Sequence, residues 1–429
     1  MANPDDRPWY SGISRYQWLV LAIAAAGWAF DQYESQIFVI TKDYMLPDLT
    51  GASGAALNEL SEYLFAVFLL GSAFGGLIAG SLADRFGRRP LLVATILFYS
   101  IFSGLTYFAT DKWQLGVIRF FVAAGVGGEW AVGASLIAEV FPTRARTYAA
   151  SIFHASGQLG FWIAALVGIA VGSQWRYAYL VGILPAILTI WVLARVHEPE
   201  KWEAKAMQLE ESGSQRRRLG SFRELLFTPK WSRHALLGCL FAGTGLATFW
   251  CVMVAGQDLT RDFLKRTGAD PNDIHRQAAF AYGIVQTIGC TLGLLAFGPI
   301  CARFGRRASF IGFNLLAFAI VPITCFAPQQ YWQLLLLLPL YGFFTEGFHA
   351  GYAMYFPELF PTHLRATGTS FCFNGGRIVA IPALFASAWL KGPHGVDLRW
   401  AVTILATLYL VGAGIMLLLP ETNHQELPE

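Results

Sequence analysis

The sequence predicts an all-α membrane protein: twelve transmembrane helices in two pseudo-symmetric six-helix bundles. Composition is the first reason. Of 429 residues, 55% are hydrophobic and 14% charged, whereas a soluble domain carries about 45–50% and about 25%. The second is spacing, because apolar runs of the roughly 20 residues needed to cross hydrocarbon succeed one another along the chain. The third is internal repetition.

The first six spans fall near 17–40, 58–83, 90–110, 113–140, 147–172 and 175–196. The second six fall near 233–258, 276–301, 307–327, 331–357, 364–390 and 396–419. The first 15 residues are polar and the following apolar run is too long for a signal peptide, so it reads as a retained helix. Several connections are short enough to force antiparallel hairpins. The long polar stretch between span sets, EPEKWEAKAMQLEESGSQRRRLGSFRELL, predicts a short amphipathic helix and a flexible step. The expected organisation is therefore an N-terminal bundle (1–196), a linker (197–232) and a C-terminal bundle (233–429).

Basic residues orient the chain. Arg85, Arg88 and Arg89, Arg144 and Arg146, Arg303, Arg306 and Arg307, Arg365, and the linker's Arg216, Arg217 and Arg218 all fall on one side of the spans. The positive-inside rule makes that side, and both termini, cytoplasmic. The 259–275 connection, with Arg261, Asp262, Lys265 and Asp270, has mixed charge and does not reverse this.

Several functions are excluded at this level. A net charge of +3, with Arg in scattered short loops, does not suit nucleic-acid binding. Cys239, Cys251, Cys290, Cys301, Cys325 and Cys372 show no metal-ligand spacing and no disulfide framework. There is no GxxxxGK[ST] loop for ATP and no HExxH or GxSxG motif for hydrolysis. No enzyme activity, cofactor or metal is expected.

The repeat is the strongest signal. EVFPTRARTYAAS (139–151) recurs as ELFPTHLRATGTS (358–370), an offset of 219. GSLADRFGRRP (80–90) recurs as GPICARFGRRA (298–308), an offset of 218. Two matches at nearly one offset indicate a duplicated six-helix unit. Parallel repeats of this kind place a substrate site near the midplane between the halves. GSLADRFGRR resembles the signature loop between helices 2 and 3 of the major facilitator superfamily. Arg119-Phe120 with Gly125 and Gly127 resembles its second signature, and Pro420-Glu421-Thr422 and Glu198-Pro199-Glu200 resemble its sugar-porter and organic-ion branch. GWAFDQYESQIF (27–38), GGEW (127–130) and the FPT–R exits are similar to proton-coupled symporters of sialate, lactate and aromatic acids. Ala302 stands where the first half has Asp84, so any contact made by that Asp is asymmetric.

The resemblance implies a conformational latch built from Gly80, Asp84, Arg85, Gly87, Arg88, Arg89, Glu139, Arg146 and Arg365. Gly80 and Gly87 would allow close packing and a sharp turn. Asp84 would pair with Arg88 or Arg146, with Glu139 nearby. The alternative is that these Arg residues only hold the loops on their side.

Ionisable groups in mid-membrane cost on the order of 3 kcal/mol or more and need a partner or a wet cavity. At 1.5 Å per residue, Asp31, Glu129, Glu346 and Arg377 lie about 20–24 Å into spans 1, 4, 10 and 11. Glu34 shares a helix face with Asp31, and His349 shares one with Glu346. His154 in span 5 is shallower. In the resembled fold, helices 1, 4, 7 and 10 line the cavity, with 5 and 11 contributing. Arg377 is therefore expected to anchor an organic acid through two parallel hydrogen bonds, or else to pair with Asp31, Glu129 or Glu346. Asp31, Glu129, Glu346 and Glu34 are candidate proton carriers. Asn374, Tyr33, Gln158, Trp250 and His349 complete the expected substrate contacts, and Gln257-Asp258 could gate the outer end.

The implied activity is secondary transport of a monocarboxylate-like solute with proton symport. A sugar, organic cation or drug cargo, or a non-transporting receptor, are the alternatives. The expected partners are a small-molecule substrate, protons and the lipid bilayer, and the expected unit is a monomer. The absence of an N-x-[ST] sequon points to a bacterial inner membrane.

Overall fold

The computed structural model describes residues 8–211, 219–391, 396–423 and 425–428; Arg216, Arg217 and Arg218 lie outside them. Twelve crossings are present. In the first half they are α1 (Arg15–Thr50), α2 (Gly54–Phe86), α3 (Arg88–Thr106), α4 (Lys112–Val140), α5 (Thr143–Val171) and α6 (Arg176–Arg195). In the second they are α7 (Pro229–Arg266), α8 (Arg276–Phe304), α9 (Arg306–Phe326), α10 (Tyr331–Gly347 and Ala350–Glu358), α11 (Arg365–Lys391) and α12 (Leu398–Leu418). Ten of these helical stretches are long and apolar enough to cross a membrane. The other two are α1, diluted by Asp31, Gln32, Glu34, Ser35 and Gln36, and α10, interrupted at Phe348–His349.

Local chemistry sets the ends. Ser14 and Gln17 form a capping box on α1, and Asp111 and Asp397 cap α4 and α12. The α2–α3 and α8–α9 joints turn on Gly87 (φ 105°) and Gly305 (φ 86°), backbone that a side chain would strain. The linker contains the helix Glu200–Glu211. One expectation is corrected: the charged segment after residue 258 begins as helix, not loop. Gly256–Arg266 buries Leu259, Thr260, Phe263 and Leu264 on one face and turns its charges outward.

The bundles meet where α2 packs on α11 and α5 on α8. Small residues make this possible. A Cβ on Gly80 would lie 2.5 Å from the Ser370 Cβ and 2.7 Å from the Ala366 carbonyl oxygen, and one on Gly298 would lie 2.6 Å from both Thr147 O and Ser151 Oγ. Gly80→Ala should therefore force α2 off α11 at an overpacking cost of about 1–3 kcal/mol. The expected readout is a lowered Tm of the purified protein, and an unchanged Tm would refute the close approach.

Candidate functional site

Between the halves lies a cavity of about 100 Å³. Its wall from α1 is Trp28, Gln32, Ser35 and Gln36. The α5 wall supplies His154 and Gln158, α7 supplies Phe249 and Trp250, α10 supplies Glu346 and His349, and α11 supplies Phe373 and Arg377. The lining is thus aromatic and amide-rich, with one guanidinium. Phe65 of α2 and Trp250 of α7 meet edge to face across the halves, with centroids 4.9 Å apart.

Arg377 hydrogen-bonds Ser72 of α2 and the Asn374 side-chain oxygen, and its guanidinium lies 5.1 Å from the Phe373 ring. Among the described residues no carboxylate forms an ion pair with it. Asn374 does not line the cavity. It is buried and donates to Gly127 O (3.2 Å) and Ser370 Oγ (2.9 Å), so it positions Arg377 from behind. Gln158 donates to Glu346 Oε1 at 2.6 Å, joining α5 to α10 across the cavity. Glu346 also stands beside the Cys290 thiol. Both ring nitrogens of His349 face carbonyls, Glu346 O at 3.0 Å and Gly245 O at 3.1 Å. His154 accepts from Trp130 Nε1 at 3.3 Å.

Behind the α1 wall is a second polar group. Asp31 and Glu129 are buried neighbours whose carboxyl groups face each other. Glu129 lies over Gly27, where a Cβ would come within 1.7 Å of it, and Tyr99 stands beside it. Arg377 is the cation that acts on Asp31. Two carboxyls this close repel if both ionise, and one shared proton removes the repulsion.

Besides Asn374, Asp31 and Glu129, two more expected site residues lie off the cavity wall. Tyr33 donates to Ala178 O at 2.5 Å, between α1 and α6, and is not a cavity residue. Glu34 accepts from Ser103 at 2.6 Å inside the first bundle, next to Arg119, which donates to the Glu34 carbonyl at 3.1 Å and lies over Phe38 and Phe68. The cause is the rotation of α1. Its cavity face is Trp28, Gln32, Ser35 and Gln36, so positions 31, 33 and 34 turn into the bundle. Trp250, Gln158, His349 and Glu346 do converge on the cavity. Gln257 and Asp258 lie toward the end of α7 remote from Pro229, where Asp258 pairs with Arg261 at 3.7 Å.

The ion-pair network closes the end that carries the basic loops. Asp84 accepts from Ala366 N (3.1 Å), Thr367 N (2.8 Å) and Thr367 Oγ1 (2.6 Å), so it caps α11 of the other half. Arg88 contacts Asp84 at 3.0 Å and holds Glu139 with two bonds, 2.9 and 3.0 Å. Glu139 also takes Arg365 of the second half at 2.6 Å. Arg146 does not reach Asp84. It faces Glu358, 3.7 Å away in the other half, because its guanidinium is drawn across by the repeat's own glutamate. Arg85 is exposed over Phe86 and stands outside the network, and Arg89 ties α3 to the Leu193 carbonyl of α6.

Sequence reasoning missed Glu358, Glu198, Glu421, Thr367 and Ser72 as site residues. Glu358 repeats Glu139, accepting Arg306 at 2.9 and 3.2 Å. Glu198 accepts from the first amides of α3 (2.9 Å each), and Glu421 does the same for α9 (3.0 and 2.9 Å). The repeat was the available signal, since a residue nominated in one half nominates its mate. The expected asymmetry holds: Ala302 leaves the α5 terminus without the cap that Asp84 gives α11.

Twelve crossings in two repeated bundles, a polar cavity between them and an ion-pair lock at one end define a solute carrier of the membrane. The chain belongs to the Major Facilitator Superfamily, which it matches over residues 18–264 and 272–429. It is 29% identical to a Cupriavidus pinatubonensis protein provisionally assigned to 4-methylmuconolactone transport, with 97% of this chain and 93% of that one covered. It is 24% identical to the niacin transporter NiaP of Acinetobacter baylyi, covering 97% and 96%. The fold matches the proton:xylose symporter XylE bound to 6-bromo-6-deoxy-D-glucose at a TM-score of 0.75 and 17% identity, covering 96% and 98%.

Proposed function

We propose that this transporter carries a small organic acid, held by its carboxylate on Arg377, with a proton moving in the same direction. The observation that carries the reading is a guanidinium in the cavity wall whose hydrogen bonds, among the described residues, go to neutral Ser72 and Asn374. A carboxylate offers it a charged, bidentate partner that neither residue can match. Trp28, Phe249, Trp250 and Phe373 suit a flat apolar body, and Gln158 can address its far end. The relatives named for niacin and 4-methylmuconolactone support the same class of cargo.

The coupling step follows from charge. Arg377 is the cation whose field acts on Asp31. A substrate carboxylate arriving at Arg377 competes for that field, so Asp31 and Glu129 retain a proton more readily when the acid is bound. Substrate and proton then cross together when the lock opens. By the positive-inside rule the lock faces the cytoplasm, and release there completes uptake. The test is accumulation of labelled lactate, glucose or tetramethylammonium in proteoliposomes under an imposed pH gradient. Uphill accumulation of lactate alone is the expected result, and accumulation of glucose or the amine instead would overturn the cargo. Asp31→Asn should still allow downhill exchange while losing uphill accumulation; undiminished accumulation would remove Asp31 from coupling.

A further inference from the structure

The middle of α7 is not regular. Phe249–Met253 is a π-helical turn, with Val254 N bonded to Phe249 O at 3.0 Å. Such turns tilt carbonyls off the helix axis and recur at functional sites. Here three successive carbonyls each receive a side chain from a different helix. Lys391, the last residue of α11, donates to Cys251 O at 2.7 Å. Tyr341 of α10 donates to Val252 O. Gln286 of α8 donates to Met253 O at 2.9 Å and packs against Gly256, where a Cβ would lie 2.0 Å from its Oε1. Gln286 itself ends a second π-helical turn, Ala281–Gln286.

Among the described residues the first half has no such arrangement. α1 runs unbroken from Arg15 to Thr50. At the repeat offsets of 218–219, Gln286 and Tyr341 correspond to Phe68 and Val122, neither of which can donate, and α5 ends at Val171 before Gly172 where α11 ends at Lys391. The three donors are therefore a feature of one half only, and they serve the turn that carries Trp250. That ring closes on Phe65 of α2 at the cavity.

We infer that Lys391, Tyr341 and Gln286 clamp the carbonyls of the α7 turn and so hold Trp250 against Phe65, setting how readily the cavity opens on the side away from the ion-pair lock. The clamp is a positioning device. None of its donors lines the cavity, so its loss acts on access and not on recognition. Lys391 reaches from the end of its helix on a flexible stem, and Asp258 stands near its ammonium. It is the donor most easily removed without opening a core void.

The test uses the full chain with Gln36→Cys as a reporter in the cavity wall, labelled by a membrane-impermeant methanethiosulfonate; the six native cysteines are buried. Lys391→Met should raise the labelling rate at least fivefold, and Lys391→Arg, which keeps a donor, should return it to within twofold of the parent. Phe65→Ala, which removes the other side of the contact, should reproduce the Lys391→Met rate. Gln286→Met provides an independent break of the clamp should one variant not fold. Unchanged labelling in either clamp variant, in protein whose Tm matches the parent, would overturn the inference. So would a Lys391→Arg rate equal to that of Lys391→Met.

Discussion

Arg377→Ala is expected to abolish organic-acid uptake while leaving the protein folded. The side chain rests on Ser72, Asn374 and the face of Phe373, so its loss leaves no opposing charge stranded in an ion pair. What disappears is the one Arg or Lys among the described residues of the cavity lining. Truncating one partner of a desolvated, hydrogen-bonded charge pair costs about 2–5 kcal/mol. A mid-range value lowers affinity roughly a hundredfold or more. Arg377→Lys should recover a minor part, since an ammonium keeps the charge and loses the planar fork. Tyr33→Phe serves as the contrast: its hydroxyl binds the Ala178 carbonyl away from the cavity, so uptake by that variant should keep its KM. Uptake by Arg377→Ala at the parental rate would refute the anchor.

Glu139→Gln is expected to weaken the closed state of the lock more than any other single change in it. One carboxylate there holds Arg88 at 2.9 and 3.0 Å and Arg365 at 2.6 Å, with all three side chains inaccessible to solvent. The amide removes the charge shared by both guanidinium groups and leaves them Asp84 as the one contacting carboxylate, besides neutral acceptors such as the Thr362 and Pro357 carbonyls. Breaking a buried ion pair from one side costs about 3–5 kcal/mol, or roughly a hundredfold or more in the balance between closed and open forms. Because Arg365 belongs to the other half, that cost falls on the contact between the halves. Transport should slow at least tenfold and the Tm should fall. Glu358→Gln makes the discriminating comparison. Glu358 crosses between halves only through Arg146 at 3.7 Å, and its loss should disturb the second bundle more than the lock. Equal effects of the two variants on transport would contradict the asymmetry.

The fold was legible because hydrocarbon imposes it. Apolar runs, basic loops and two repeated segments determine where helices begin, which way they run and that the unit is duplicated. The site was legible in depth but not in direction. Asp31, Glu129, Glu346 and Arg377 each sit inside a crossing rather than at its ends, as their distance along each helix requires. Which way a side chain points depends on the rotation of its helix, and α1 is polar on two faces. Gln32, Ser35 and Gln36 occupy the cavity face, and Asp31, Tyr33 and Glu34 the bundle face. One sequence carries no information to choose between two polar faces. Arg146 shows the same limit on the scale of the repeat. Its loop was identifiable, but its partner Glu358 lies 212 residues away in the other half, and only packing brings them together. The π-helical turn in α7 had no signal at all, because Phe249-Trp250-Cys251-Val252-Met253 reads as ordinary apolar helix.

The central claim is that recognition runs through the carboxylate. It is tested most directly by comparing an acid with its own amide, nicotinate against nicotinamide, in proteoliposomes under an inward proton gradient. The two share a ring and differ in the group that would meet Arg377. Accumulation of nicotinate with no accumulation of nicotinamide is the predicted result. Uptake of both at similar rates, or of the amide alone, would contradict it.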